Sequence, residues 1–179
     1  DGKALQGCTS HDLGQNFAKA FDWTVSGRNR EPLHPWQNSW GLSTRSIGGL
    51  IMSHGDDNGL ILPPNIAPIQ IIIVPIPGSQ EAQEYTKTLQ KHLSNFRCEI
   101  DNKEEETAGF KFNKWELKGV PLRIEIGERE LEQGLITVVR RDTGKKILGN
   151  TKDLLKKIPD IFGSIQNGLL EKHKKFTEE

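Results

Sequence analysis

"IQIIIVPI", residues 69–76, is a continuous β-branched run in a chain that is otherwise polar, and it reads as a strand buried on both faces. Behind it Ser79 stands as N-cap to a helix with Ala82, Tyr85, Leu89 and Leu93 on one side. "FRCEID" (96–101) reads as a short strand, and "ETAGFKFNKWELKG" (106–119) as a helix closing at Gly119. In "VPLRIEIG" (120–127), Leu122, Ile124 and Ile126 alternate inward, which turns Arg123 and Glu125 to the other face, where Glu125 has its neighbour within reach as a partner. "GLITVVRR" (134–141) follows as another strand before the turn "DTGK". Strand, helix, strand, helix, strand implies crossovers and a parallel or mixed sheet.

The remainder of the chain differs in texture. Residues 1–65 are rich in Gly, Ser, Thr, His and Trp, and hold three of the four tryptophans. There "HDLGQNFAKAF" (11–21) shows helical spacing through Leu13, Phe17 and Phe21, and "TRSIGGLIM" (44–52) reads as a helix with Ser43 or Thr44 as N-cap. The pair Gly48–Gly49 lowers helix propensity and implies a close approach by a neighbouring element. From Thr151 on, the pattern is helical, with Pro159 expected to break or kink it. Ten basic and six acidic residues lie from Arg140 onward, which reads as a solvated helix face rather than a dedicated nucleic-acid patch.

Composition narrows the function classes. Lys and Arg number 24 against 24 Asp and Glu, so any polyanion partner must be met by a local patch. Cys8 and Cys98 are too far apart in sequence for a C-x-x-C pair, which argues against a disulfide scaffold or a four-thiolate zinc site and for a reducing compartment. The apolar stretch at 69–77 is too short to span a bilayer, and no signal-peptide pattern opens the chain. Asp1 at the start, with Met52 the single methionine, predicts a piece of a longer polypeptide.

Little in the sequence supports bound metal or a nucleophile. His54, Asp56 and Asp57 have metal-capable side chains, but the stretch reads as a turn with an Asx-type hydrogen bond, and no metal site is expected. "DTGKK" lacks the first glycine of a phosphate loop and reads as a hairpin turn. Ser10 beside His11 is adjacency along the chain, and no G-x-S-x-G elbow is present. Arg45 stands out: it opens a helix whose N-terminal N–H groups favour an anion, and guanidinium grips phosphate with a planar fork. A surface salt bridge is the competing explanation for it.

"SWGLSTRSIGGLIMSHGDDNGLILPPNIAPIQIIIVPI" (39–76) resembles the third motif of class II aminoacyl-tRNA synthetases, followed by the junction into the anticodon-binding domain. "DGKALQGCTSHDLGQNFAKAF" (1–21) narrows the resemblance to prolyl-tRNA synthetases of the archaeal and eukaryotic-like type, and "FKFNKWELKGVPLRIEIGERELE" (110–132) is similar to their anticodon domain. The resemblance implies an α/β chain: residues 1–66 as the C-terminal part of a class II catalytic domain (antiparallel sheet with motif helix), and 67–179 as an anticodon-binding domain with a mixed sheet flanked by helices, plus a following helix.

It further implies that Arg45 meets the γ-phosphate of ATP, that Gln6, Thr9 and Ser43 contact the nucleotide, and that His11, Ser39, Trp40 and Gly41 form the proline pocket. Glu116, Arg123, Arg129 and Glu130 match anticodon readers, and the "HGDDNGLILPP" stretch matches the exit from the catalytic domain, stiffened by Pro63 and Pro64. The family's reaction joins proline to tRNA(Pro) through prolyl-adenylate, with ATP and Mg2+, in a cytoplasmic homodimer without membrane attachment. The first two class II motifs and the family's zinc-binding extension are not encoded here, so this chain alone is expected not to form the adenylate. The alternative is a non-catalytic tRNA-binding module. The presence of both "QGCTSH" and "SWGLSTR" favours the enzyme, and "TSHDLGQNF" argues against the threonine, histidine and glycine relatives. Asp12 and Cys8 depart from the family's usual residues beside the pocket.

Overall fold

Two compact units make up the chain, Asp1–Ser53 and His54–Glu179. The structure, a computed structural model, describes residues 4–76, 78 and 80–178, so the expected cap Ser79 lies outside the described residues.

In the first unit, strand β1 (Cys8–Gly14) is followed by a one-turn helix α1 (Asn16–Ala20), the short hairpin β2 (Val25–Ser26) and β3 (Pro32–Leu33), strand β4 (Gln37–Leu42) and helix α2 (Arg45–Ser53). β1 and β4 pair antiparallel, with Thr9 opposite Gly41, Ser10 opposite Trp40 and His11 opposite Ser39. The helix expected from His11 is therefore corrected: residues 11–14 are strand. The chain turns at Gly14, whose φ of +55° suits glycine and whose N–H donates to Asp12 Oδ1 at 3.0 Å. Helix forms only beyond that turn. Phe17 and Phe21 still stack on one another at 6.4 Å between centroids, but on an exposed surface. At the start of α2, Ser43 acts as expected: its Oγ accepts the Arg45 N–H at 3.3 Å. A Cβ on Gly49 would meet the Leu5 side chain at 2.8 Å, whereas one on Gly48 would meet nothing. The close approach expected of the glycine pair thus holds for Gly49 alone.

The second unit begins with a tight hairpin, β5 (Gly55–Asp56) and β6 (Gly59–Leu60), whose turn carries the expected Asx bond from Asn58 N–H to Asp56 Oδ1 at 2.9 Å. Then follow β7 (Ile71–Pro75), α3 (Gln80–His92), β8 (Cys98–Ile100), α4 (Ala108–Leu117), β9 (Leu122–Ile126), α5 (Glu128–Glu132), β10 (Leu135–Arg140), β11 (Lys146–Asn150) and α6 (Thr151–Glu178). The five-stranded sheet has the order β11-β10-β9-β7-β8. β7 lies between β8 and β9, parallel to both, while β9–β10 and β10–β11 are antiparallel. This central place is why residues 71–75 are buried on both faces.

One face of the sheet, carrying Ile71, Ile73, Leu122, Ile124, Ile126, Ile136 and Val138, packs under α3 and α6. α6 buries Leu154, Ile158, Phe162, Ile165 and Leu169 at three- and four-residue spacing. Pro159 does not break this helix, which continues through it, so of the break or kink expected there the break does not occur. The proline is exposed, so the carbonyl it leaves unpaired can be solvated, while Ile158 and Phe162 hold the same turn in the core.

The opposite face is only partly covered. Helix α4 packs Trp115 and Phe112 over Ile72 and Val74 of β7 and reaches Arg123 of β9 through Phe112, leaving the neighbouring residues of β10 and β11 without a covering helix. The helix is capped by Thr107, whose Oγ1 accepts the Phe110 N–H at 3.3 Å, and it closes before Gly119 at φ +74°. Its position is fixed by buried Asp101, which follows β8: Trp115 Nε1 and Lys114 Nζ both donate to Asp101 Oδ2 at 2.6 Å, and Lys111 Nζ donates to the Asp101 carbonyl at 3.2 Å. The β5–β6 hairpin is tied to the same helix end. A Cβ on Gly119 would sit 2.7 Å from the Leu60 backbone, so only glycine fits. Arg141 donates to both Asp56 oxygens, at 2.9 and 2.5 Å, and to the Glu116 carbonyl at 2.9 Å. Pro64 is equally pinned, its carbonyl accepting from Arg97 at 2.9 Å and from Gln70 at 3.1 Å.

Burial alone would raise the Asp101 carboxyl, but the bonds from Lys114 and Trp115 outweigh it and hold the group below the usual carboxylate range. A lowered folded pKa stabilises above the unfolded value, and that stability is lost as pH falls through the folded value. Asp101→Asn should therefore destabilise the second unit by about 2–3 kcal/mol at pH 7. In denaturant titrations the gap to the wild type should shrink as pH is lowered below 4; a gap independent of pH would show that the carboxylate charge contributes nothing.

Candidate functional site

Alternation along the β1–β4 ladder places Thr9, His11, Ser39 and Gly41 on one face and Ser10 and Trp40 on the other. Thr9 Oγ1 lies 3.0 Å from where a Gly41 Cβ would sit, so a glycine there leaves room for the threonine. At the head of α2, Arg45 Nη1 donates to Gln6 Oε1 at 3.1 Å, joining residues 39 positions apart. Gln6, Thr9, Gly41, Ser43 and Arg45 line one recess of about 240 Å³, together with Cys8. Arg45 is exposed and faces no carboxylate among the described residues within ion-pair distance, so the salt bridge weighed against an anion site does not form.

His11 lines a separate depression with Ser10, Asp12, Trp36, Gln37 and Asn38. The four residues matched to a proline pocket are thus adjacent in space, but the alternation turns the Trp40 side chain away from His11, Ser39 and Gly41. Trp40 is 76% exposed in this chain.

The second cluster lies in the other unit, on the sheet face that α4 leaves open. Register places Arg123 and Glu125 of β9 beside Val139 and Thr137 of β10, and these beside Lys146 and Leu148 of β11. Arg123 Nε and Nη2 both donate to Glu125 Oε1, at 3.0 and 2.8 Å, and Nη1 donates to the Phe112 carbonyl at 3.4 Å. The guanidinium carbon sits 4.3 Å from the centroid of the Phe112 ring, a cation–π stack. Lys146 Nζ donates to Glu125 Oε2 at 3.3 Å. The pairing of Arg123 with Glu125 expected from the sequence is therefore present.

Glu116 lines the same concavity, about 190 Å³, with Arg123, Val139 and Lys146. Arg129 and Glu130 are not part of that lining; they lie on α5, after the C-terminal end of β9. Phe112, Glu125 and Lys146 were missed as site residues by sequence reasoning. Alternation could have selected Glu125 as the face-mate of Arg123, whereas Phe112 and Lys146 emerge only once helix position and strand register are known. "DTGK" is the hairpin turn between β10 and β11, with Gly144 at φ +66°, as its sequence indicated.

A family model described as an anticodon binding domain matches residues 70–161, and the chain belongs to that family. Over its full length it is 48% identical to the proline–tRNA ligase of Natranaerobius thermophilus and 45% identical to that of Rubrobacter xylanophilus. It covers 38% and 39% of those proteins, so it spans under two-fifths of the length of the curated relatives it matches. Among solved structures, prolyl-tRNA synthetase from Cryptosporidium parvum complexed with L-proline and AMP superposes with a TM-score of 0.88 at 40% identity, covering 99% of this chain and 39% of that one. The same enzyme complexed with halofuginone and AMPPNP gives a TM-score of 0.86 at 41% identity, covering 97% and 37%.

The two thiols differ sharply. Cys8 is exposed in the recess beside Arg45, whereas burial, with help from the Glu99 charge, pushes the Cys98 thiol up to about 12. Because the thiolate is the nucleophile, iodoacetamide at pH 8 should alkylate Cys8 and spare Cys98, as read by peptide mass spectrometry. Equal labelling of both would contradict the described burial.

Proposed function

We propose that this chain is part of a proline–tRNA ligase, in which residues 1–66 complete the nucleotide and proline sites of the catalytic domain and residues 67–179 bind the anticodon of tRNA(Pro). The whole enzyme would activate proline with ATP to prolyl-adenylate and transfer it to the tRNA. Such catalysis depends on positioning and charge stabilisation rather than on a protein nucleophile.

The observation that carries the proposal is the recess at the head of α2. Arg45 brings a positive charge to a helix N-terminus, which favours a phosphate. The Gln6 amide holds one of its donors, leaving others for a ligand. Thr9 and Ser43 supply hydroxyls in the same recess for the nucleotide. His11, Ser39 and Gly41 would then line the amino-acid side, with Trp40 turned to the opposite face. Among the described residues there is no group of three or more His, Cys, Asp or Glu that could hold a metal.

Anticodon reading is supported by complementary chemistry on the open sheet face. Proline anticodons carry two guanines, whose O6 and N7 accept from arginine and whose N1 and N2 donate to a carboxylate. Arg123 and Glu116 present that donor and acceptor in one concavity, and unpaired loop bases are what proteins read by edge in RNA. Arg129 and Glu130, on α5, would contact a different part of the loop.

Two measurements test the proposal. The chain alone should give no proline-dependent pyrophosphate exchange; a clear signal would contradict the division of the active site. Grafted in place of the matching region of the Natranaerobius thermophilus relative, it should support exchange, and Arg45→Ala in that protein should lower kcat about 100-fold or more. Unchanged kcat would remove Arg45 from the nucleotide site and favour a purely RNA-binding role.

A further inference from the structure

We propose that Glu125 is a positioning residue for base recognition: it holds the Arg123 guanidinium side-on, so that the end-on pair of N–H donors is left to one guanine edge. The inference rests on the proposal above that Arg123 reads an anticodon guanine. It goes beyond it in assigning the discrimination to a second residue that need not touch the RNA.

A guanidinium has five N–H donors in a fixed plane. Glu125 Oε1 takes the Nε donor and one from Nη2, and the Phe112 carbonyl faces Nη1 at 3.4 Å. One N–H remains on each terminal nitrogen, and we take the Nη1 donor to lie beside that of Nη2 at the tip. That is the fork that matches O6 and N7 of guanine. The Phe112 ring fixes the plane of the group from one side, at 4.3 Å. Without the carboxylate, rotation within that plane would be opposed only by the long 3.4 Å bond to the Phe112 carbonyl, and a rotated guanidinium would offer a different pair of donors.

The surroundings of Glu125 suit this task better than a stabilising one. Glu125 is 8% exposed, next to Arg123 at the edge of the region that α4 reaches, and its second oxygen accepts from Lys146, whose side chain is 60% exposed. Both oxygens thereby face cations, Oε1 with two bonds from Arg123 and Oε2 with one from Lys146, so the carboxylate charge is balanced on its own face. With side chains only 12% and 10% exposed, the Arg123–Glu125 pair is largely out of water, where the cost of desolvation offsets much of its attraction and its fixed geometry is the more important product. Pre-organisation of this kind removes the ordering cost from the binding step.

The test uses the 179-residue chain and a proline anticodon stem-loop RNA, with each guanine replaced in turn by 7-deazaguanine, which lacks the N7 acceptor. Dissociation constants are measured for the wild type, Glu125→Gln, Arg123→Ala and the double variant, with thermal melts as a control. At one of the two guanines the wild type should prefer guanine by about 5- to 100-fold. Glu125→Gln should cut that preference at least threefold while leaving affinity for the 7-deaza RNA within twofold. In the Arg123→Ala background it should change nothing.

Should Glu125→Gln lose its cooperative melt, Lys146→Ala, on an exposed side chain, makes the same test and should also lower the preference. A wild-type preference kept intact in the variants, or an equal weakening of both RNAs, overturns the role of Glu125 alone. A wild type that does not bind the RNA, or that binds both RNAs alike, overturns the Arg123 reading and this inference with it.

Discussion

Buried Asp101 is the constraint on which the open face of the second unit depends. It follows β8, its own N–H donates to the Ile73 carbonyl of β7 at 2.9 Å, and its carboxylate receives Trp115 and Lys114 of α4. One residue thus joins two parallel strands to the helix that crosses them. A carboxylate taken out of water is costly unless its oxygens are met by donors and a cation, and here both are supplied from a single helix. The helix is consequently held over β7, and beside it the antiparallel strands form the concavity lined by Arg123, Val139 and Lys146. Phe112 and Glu116 are carried on that same helix, so the residue that fixes the fold also fixes two walls around Arg123.

A second polar tie extends the rigidity to the start of the unit. Arg141, itself buried, reaches the Asp56 carboxylate and the last turn of α4. The guanidinium draws the Asp56 carboxyl below the usual carboxylate range, with further help from the Asn58 N–H. Residues 54–70, which might be taken from composition for a free connector, are instead hydrogen-bonded to the sheet unit through Arg141, Arg97 and Gln70. Within that unit the exit stretch is an anchored element.

Much of this was legible in the sequence where signals are local. The β-branched run at 71–75, the Thr107-to-Gly119 helix and the "DTGK" turn all carry their own chemistry, and each forms as its residues indicate. The errors arise where a distant partner overrides local spacing. Leu13, Phe17 and Phe21 recur like a helix, yet residues 8–14 find a strand partner at 37–42, and a turn at Gly14 separates the two patterns. Pro159 is tolerated because α6 is held by packing on the sheet rather than by propensity. At the sites, Arg45, Gln6, Thr9 and Ser43 come together in one recess from distant parts of the sequence, and the match over 70–161 establishes the anticodon-binding family. Lys146 and Phe112 could not be found by spacing, because strand register and helix placement bring them to Arg123.

The central claim is that the sheet face left open by α4 is where RNA meets this chain. Backbone amide shifts followed by NMR during titration with a proline anticodon stem-loop test it most directly. The largest changes should fall on α4 around Phe112 and Glu116, on Arg123 and Glu125, and on the β10–β11 hairpin through Lys146, with little change under α3 and α6. Changes concentrated on α3 and α6, with the Arg123 face silent, would contradict it.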